Sequence, residues 1–191
     1  MAGIEVSFDA QKFAAEAHRM VQVELPAAIR AGMRSAANRI THQLGLMLAD
    51  KLDDPVPFTQ RGFYAEVSTA AAEPEMEIGV RPMQAAYLQY VFDGGVDSNA
   101  LVPTADTDLD RYGNIPRGYL AAEQAQGAVW MTARSGVRTL FEDGKGRLKA
   151  VAMIVDEVSY DKLVDFETEV SIAVSDLLPD AVADKLAIAF G

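Results

Sequence analysis

The sequence contains no cysteine, so neither a disulfide nor a thiolate metal site contributes to its stability or chemistry. Histidine is almost as scarce. His18 and His42 are the two in the chain, they fall on separate predicted helices, and neither belongs to a ligand pair such as His-x-x-x-His. They read as surface or boundary residues. The nucleophile signature Gly-x-Ser-x-Gly is absent, and no Ser or Thr stands beside a histidine base with an orienting acid. No apolar run approaches the roughly 20 residues needed to span a bilayer. Residues 1–10 lack a basic stretch followed by an apolar one, so they do not read as a secretory signal. The expectation is a protein made and kept soluble inside a cell, with no membrane partner. Basic residues are also in deficit: 17 Lys and Arg stand against 28 Asp and Glu, a net charge of −11. That field opposes general nucleic-acid binding.

What is present is ordinary globular material. The chain has 191 residues, 50% hydrophobic and 24% charged, enough to bury a core without staples. No repeat, low-complexity tract or linker interrupts it, so a single domain over 1–191 is expected. Aromatics are few, and the lone Trp130 suits a core or interface anchor. Charge is uneven. Lys12, Arg19, Arg30, Arg34 and Arg39 face Glu16 and Glu24 in the first part of the chain. From Asp156 onward nine acids stand against Lys162 and Lys185. A basic front and an acidic back suit complementary faces between neighbouring copies, or two solvated helix faces of opposite sign.

The periodicities predict an α+β fold: long N-terminal helices packed on a mostly antiparallel sheet, with a C-terminal helical segment. Residues 4–8 alternate as a short strand. Asp9 is a helix N-cap, and its helix runs to about Val23. Leu25-Pro26 restarts the chain into a long helix over about 26–50. There Ile29, Met33, Ala36, Ile40, Leu44 and Met47 form one apolar stripe. Asp53 to Pro57 ends that helix and holds the chain extended.

The sheet region covers about 61–155. Strands are predicted at 63–68, 75–80, 129–133, 138–141 and 148–155. A helix over 83–92 turns its apolar side through Ala86, Tyr87, Tyr90 and Val91, and Asp93-Gly94-Gly95 stops it. Residues 97–116 read as a long irregular loop, followed by a short helix at 118–126. Residues 143–146 make a hairpin turn. The end, about 166–190, is helical and divided in two by Pro179.

Candidate chemistry fails on spacing. Asp106, Asp108 and Asp110 start like a calcium loop, but Arg111 and Arg117 occupy the glycine and glutamate positions. Gly144-Lys145-Gly146 lacks both the first glycine and the Ser or Thr of a phosphate loop. No cofactor and no metal is expected. Arg61, Arg81, Arg111 and Arg117 fall near turns, where arginine makes bidentate contacts to a partner's carboxylates.

Four pieces stand in a distinctive order. Asp53-Asp54-Pro55-Val56-Pro57-Phe58-Thr59-Gln60-Arg61-Gly62-Phe63-Tyr64 follows a long helix that begins Leu25-Pro26-Ala27-Ala28-Ile29. The strand Glu75-Met76-Glu77-Ile78-Gly79-Val80 comes next. Then come Tyr87-Leu88 with Val91-Phe92-Asp93-Gly94-Gly95, and last Asp110-Arg111-Tyr112-Gly113-Asn114-Ile115-Pro116-Arg117-Gly118. That order, from about Leu25 to Phe190, resembles the phage tail-completion proteins similar to minor tail protein Z of lambdoid phages. The chain departs from them in being acidic where well-known members are basic.

The resemblance implies a non-enzymatic subunit of a long-tailed phage neck that assembles as a homo-oligomeric ring, usually a hexamer. Its neighbours would be the tail terminator and the head-side connector, and its lumen could touch DNA or the tape-measure protein. It implies no catalytic residues. Candidate interface residues are Phe58 and Arg61 at the joint, Arg30 and Arg34 on the long helix, and Tyr112 and Arg117. A tail terminator or another neck component fits the same class. The enzymatic alternative is a small hydrolase working through Asp106 to Asp110.

Overall fold

The computed structural model describes residues 8–70, 73–143 and 146–191. The chain is α+β, with antiparallel sheets between a long N-terminal helical stretch and a long C-terminal helix. It divides into two compact units. The first comprises Met1–Asp50, Pro57–Ala85 and Phe166–Gly191; the second comprises Lys51–Val56 and Ala86–Asp165.

The first unit begins with α1 (Ala10–Arg19). Asp9 caps it as expected: its carboxylate accepts the N–H groups of Gln11 and Lys12 at 3.1 and 3.0 Å. The expected strand at residues 4–8 lies almost wholly outside the described residues. The expected restart at Leu25-Pro26 does not occur. α1 passes through a π-helical turn, Met20–Glu24, straight into α2 (Leu25–Lys51). The Leu25 N–H donates to the Met20 carbonyl, five residues back. A proline inside an α-helix clashes with the carbonyl four residues before it, and the wider π turn just ahead of Pro26 relieves that crowding.

α2 buries Ala28, Gly32, Ala36, Ile40, Leu44 and Leu48. The centre of this stripe is the predicted one. Its ends differ, because a strict step of four drifts about 40° per step around a 3.6-residue helix. The drift lets successive turns meet different neighbours. At Gly32 a Cβ would stand 2.6 Å from the Val182 Cα of α6 (Phe166–Phe190), and at Gly45 it would stand 2.5 Å from the Gln60 carbonyl oxygen.

α6 runs unbroken through Pro179, so the predicted division into two helices is corrected. Ser175 and Pro179 both lie on the exposed face, where the carbonyl left without its donor stays open to water. Asp54 takes a positive φ of 41°, and a one-turn helix α3 (Pro57–Gln60) replaces the fully extended path expected there. β1 (Phe63–Val67) and β2 (Met76–Val80) pair antiparallel, Phe63 opposite Val80. Phe63 stacks on Phe166 at 6.0 Å.

The start of α4 (Pro82–Phe92) belongs to the first unit and its end to the second. The residues it buries are Gln84, Leu88 and Phe92, and not the predicted Ala86 and Tyr87, which are exposed. Gly94, with φ of 69°, ends it as expected.

The second unit holds a four-stranded antiparallel sheet in the order β3-β6-β5-β4. Its strands are β3 (Gly95–Pro103), β4 (Val129–Thr132), β5 (Arg138–Asp143) and β6 (Leu148–Tyr160). The first third of the predicted loop, residues 97–103, is therefore strand. β3 leaves most of both faces open, so its sequence carries no period-two alternation. It is held by its ladder to β6, with Gly95 opposite Tyr160 and Pro103 opposite Ala152.

The remainder of that loop is irregular but tied down. The Thr104 and Thr107 hydroxyls donate to the carbonyls of Ala150 and Val151. The Asp110 carboxylate accepts from Tyr112 N–H and Asn114 N–H at 2.9 and 3.0 Å. α5 (Tyr119–Ala125) follows Gly118, whose φ is 82°. Ala128, Leu140, Val151 and Ala152 form this unit's core, with Ile115, Leu120 and Trp130 packed on it. The turn expected at 143–146 lies partly outside the described residues; Gly146 N–H donates to the Asp143 carboxylate at 3.2 Å.

Candidate interface site

The joint between α2 and β1 is built from a few hydrogen bonds. Arg61 closes α3 onto itself: its backbone N–H and its Nε both donate to the Pro57 carbonyl, at 3.3 and 3.1 Å. The buried amide of Gln84 donates to the Phe58 carbonyl at 3.1 Å. Thr59 is buried with it at 7% exposure, whereas Phe58 is 44% exposed. The apolar anchor expected at Phe58 is thus turned outward, and Thr59 and Gln84 do the internal fixing. A large aromatic held open on a rigid turn is the kind of group a partner covers.

The β1–β2 register then gathers charge. Because Phe63 pairs with Val80, the next residues along the ladder are Gly62 and Arg81, and Arg81 N–H donates to the Gly62 carbonyl at 2.7 Å. Arg61 and Arg81 therefore emerge at the same end of the hairpin. α2 runs past that end with Asn38, Thr41 and His42 on one face, since residues three and four apart are neighbours on a helix. Between them lies an open cleft of about 350 Å³, with Phe63 and Leu46 as its apolar lining. No acidic residue lines it, and neither arginine makes an ion pair among the described residues. In a chain of net charge −11, this is a local inversion of sign.

Of the six expected interface residues, Phe58 and Arg61 come together in the joint. Arg34 is exposed on α2 one turn before Asn38, and Arg30, one turn earlier again, is half-buried. Tyr112 and Arg117 belong to the second unit. Arg111 lies over the Tyr112 ring at 4.5 Å and donates to its hydroxyl, and Arg117 is exposed. Arg81 is among the turn arginines that sequence marks for partner carboxylates, whereas nothing in sequence marks His42 and Asn38 as site residues. The signal that finds them is the step of four from Arg34 through Asn38 to His42, set against the hairpin end.

A titratable cluster also escaped the sequence reading. Lys149 on β6 pairs with Glu142 on β5 at 3.0 Å. Glu123 of α5 reaches the same carboxylate, and the hydrogen bond with Glu142, then burial, raise the Glu123 carboxyl above its ordinary value. The bond from Lys149 holds Glu142 below its own. Two carboxyls and an ammonium share one proton-dependent contact. Among the described residues no three His, Asp or Glu side chains gather as metal ligands, and no helix is long and apolar enough to cross a membrane.

Compared with known protein families, with curated proteins and with solved structures, the chain finds no match.

Proposed function

We propose that this chain is a non-enzymatic structural protein of a long-tailed phage neck, a ring-forming tail-completion subunit that joins the tail tube to the head-side connector. The order of the four sequence pieces supports the family. One observation carries the assembly role: α1 buries none of its residues, although Phe13 is 59% exposed and the adjoining turn leaves Met20, Val21 and Val23 open. A helix with one apolar side gains little from standing in water. Contiguous apolar surface of this kind marks a protein–protein contact. Phe8, packed on Phe13 with ring centroids 5.5 Å apart, extends the same side.

In this reading the neighbours are further copies of the chain, six in the ring, with the tail terminator on one side and the connector on the other. The lumen then faces DNA or the tape-measure protein.

The test is a particle reconstruction combined with deletion of the gene. The proposal expects a ring of density at the head–tail joint that fits this fold, and deletion should leave finished tails unattached to heads. Overlong tails would assign the protein to tail termination instead. Infectious particles of normal yield after deletion would refute the neck role altogether.

A further inference from the structure

We infer that the Arg61–Arg81–His42 cleft is the receiving half of the contact between ring neighbours, and that it takes the exposed carboxylate stripe Asp176, Asp180 and Asp184 from α6 of a second copy. The inference rests on the ring reading above and names the surfaces that make the ring. Two independent features meet in it.

The first is the cleft. Arg61 and Arg81 line it beside Leu46 and Phe63 with no acidic partner among the described residues, and Arg61 is oriented by its Nε bond to Pro57. Arginine's planar fork favours carboxylates in such a place. The second is the stripe. Asp176, Asp180 and Asp184 are all exposed and follow one another at steps of four on α6. Like charges at that spacing destabilise the helix that carries them. None of the three makes an ion pair among the described residues. An isolated copy therefore carries an uncompensated positive cleft and an uncompensated negative ridge, and contact between copies relieves both.

The dimensions agree. Carboxylates four residues apart rise about 6 Å along the helix, and Arg61 adjoins Gly62, whose carbonyl accepts the Arg81 N–H at 2.7 Å. Two neighbouring aspartates thus match two neighbouring arginines. The contact is heterologous, cleft to ridge, and such contacts close into rings when the rotation permits. A nucleic-acid phosphate is the competing anion. The net charge of −11 disfavours it, because a long polyanion would meet the whole field of the protein, whereas a matching ridge meets only the cleft.

Charge reversal in full-length protein decides the matter. Arg61→Glu with Arg81→Glu, and separately Asp176→Lys with Asp180→Lys, should each raise the concentration for half-assembly by about 100-fold or more, measured by native mass spectrometry. An equimolar mixture of the two variants should form rings again with the variants alternating, since each acidic surface then meets a basic one. The ridge variant alters exposed residues alone, so it carries the test even if the cleft variant folds poorly.

Rings formed by the ridge variant at wild-type concentration would overturn the contact and leave the ring reading standing. Normal rings from the cleft variant, together with lost binding of a fluorescent DNA duplex, would make the cleft a nucleic-acid site instead. Wild-type protein that stays monomeric at every concentration would overturn the ring and the contact together.

Discussion

Gly32 and Gly45 show how much of this fold depends on single absent side chains. In each case an added Cβ meets backbone, and not the movable end of a side chain: the Val182 Cα at 2.6 Å and the Gln60 carbonyl at 2.5 Å. Gly32→Ala is expected to lower stability by about 1–3 kcal/mol through overpacking, despite alanine's better helix propensity. A urea-unfolding midpoint at or above that of wild type would refute the close approach.

The Glu123–Glu142–Lys149 cluster gives a pH test at the same scale. Glu123 is raised above 4.5, so the folded chain holds its proton after the unfolded chain has lost it, and its contribution falls as pH rises through the folded value. Glu142 is lowered, so its contribution is present above 4.5 and is lost as pH falls. Glu123→Gln should therefore match wild type near about pH 4 and exceed it near about pH 8, in urea midpoints at the two pH values.

Legibility at this scale was uneven. Asp9 declared itself as a cap, because an N-cap is a local event. Nothing in residue order tells that Glu123 reaches Glu142, 19 positions away.

Among the elements, those with a local cause were the ones legible in sequence. Ile40 and Leu44 on the apolar stripe, Gly94 at the end of α4, and the β1 and β5 strands all follow from spacing or backbone freedom. β3 was not legible. Its residues are held by ladder bonds to β6, and a ladder bond is indifferent to side-chain type. Prolines misled twice in the same direction. Pro26 was read as a break and is absorbed by a π turn, and Pro179 was read as a division and is carried within α6.

Proline in a helix interior costs roughly 3 kcal/mol relative to alanine. Pro179→Ala removes that cost on an exposed face and should raise stability by about 1–3 kcal/mol, read as a higher thermal midpoint with unchanged helical signal. An unchanged or lower midpoint would mean that Pro179 serves α6 in some way its exposure does not reveal.

For the molecule as a whole, sequence foretold one domain, and contacts divide the chain into two units. A linker is what marks a boundary in sequence. Here the chain passes between units four times, after Asp50, Val56, Ala85 and Asp165, and the first and third of these crossings fall inside α2 and α4, where composition has no reason to change. The net charge was legible, but the faces it occupies were not.

The apolar side of α1 is where the proposed assembly meets its test, because an exposed stripe adds little to the stability of the folded monomer. Phe13→Asp with Met20→Asp should leave the unfolding free energy from urea titration within about 0.5 kcal/mol of wild type, as surface changes do. The same variant should lose self-association in sedimentation velocity. A helix that packed on its own chain would give the opposite pair of results, a lower midpoint with association retained. The two measurements on one variant therefore separate a stripe that belongs to the monomer from one that belongs to its neighbours.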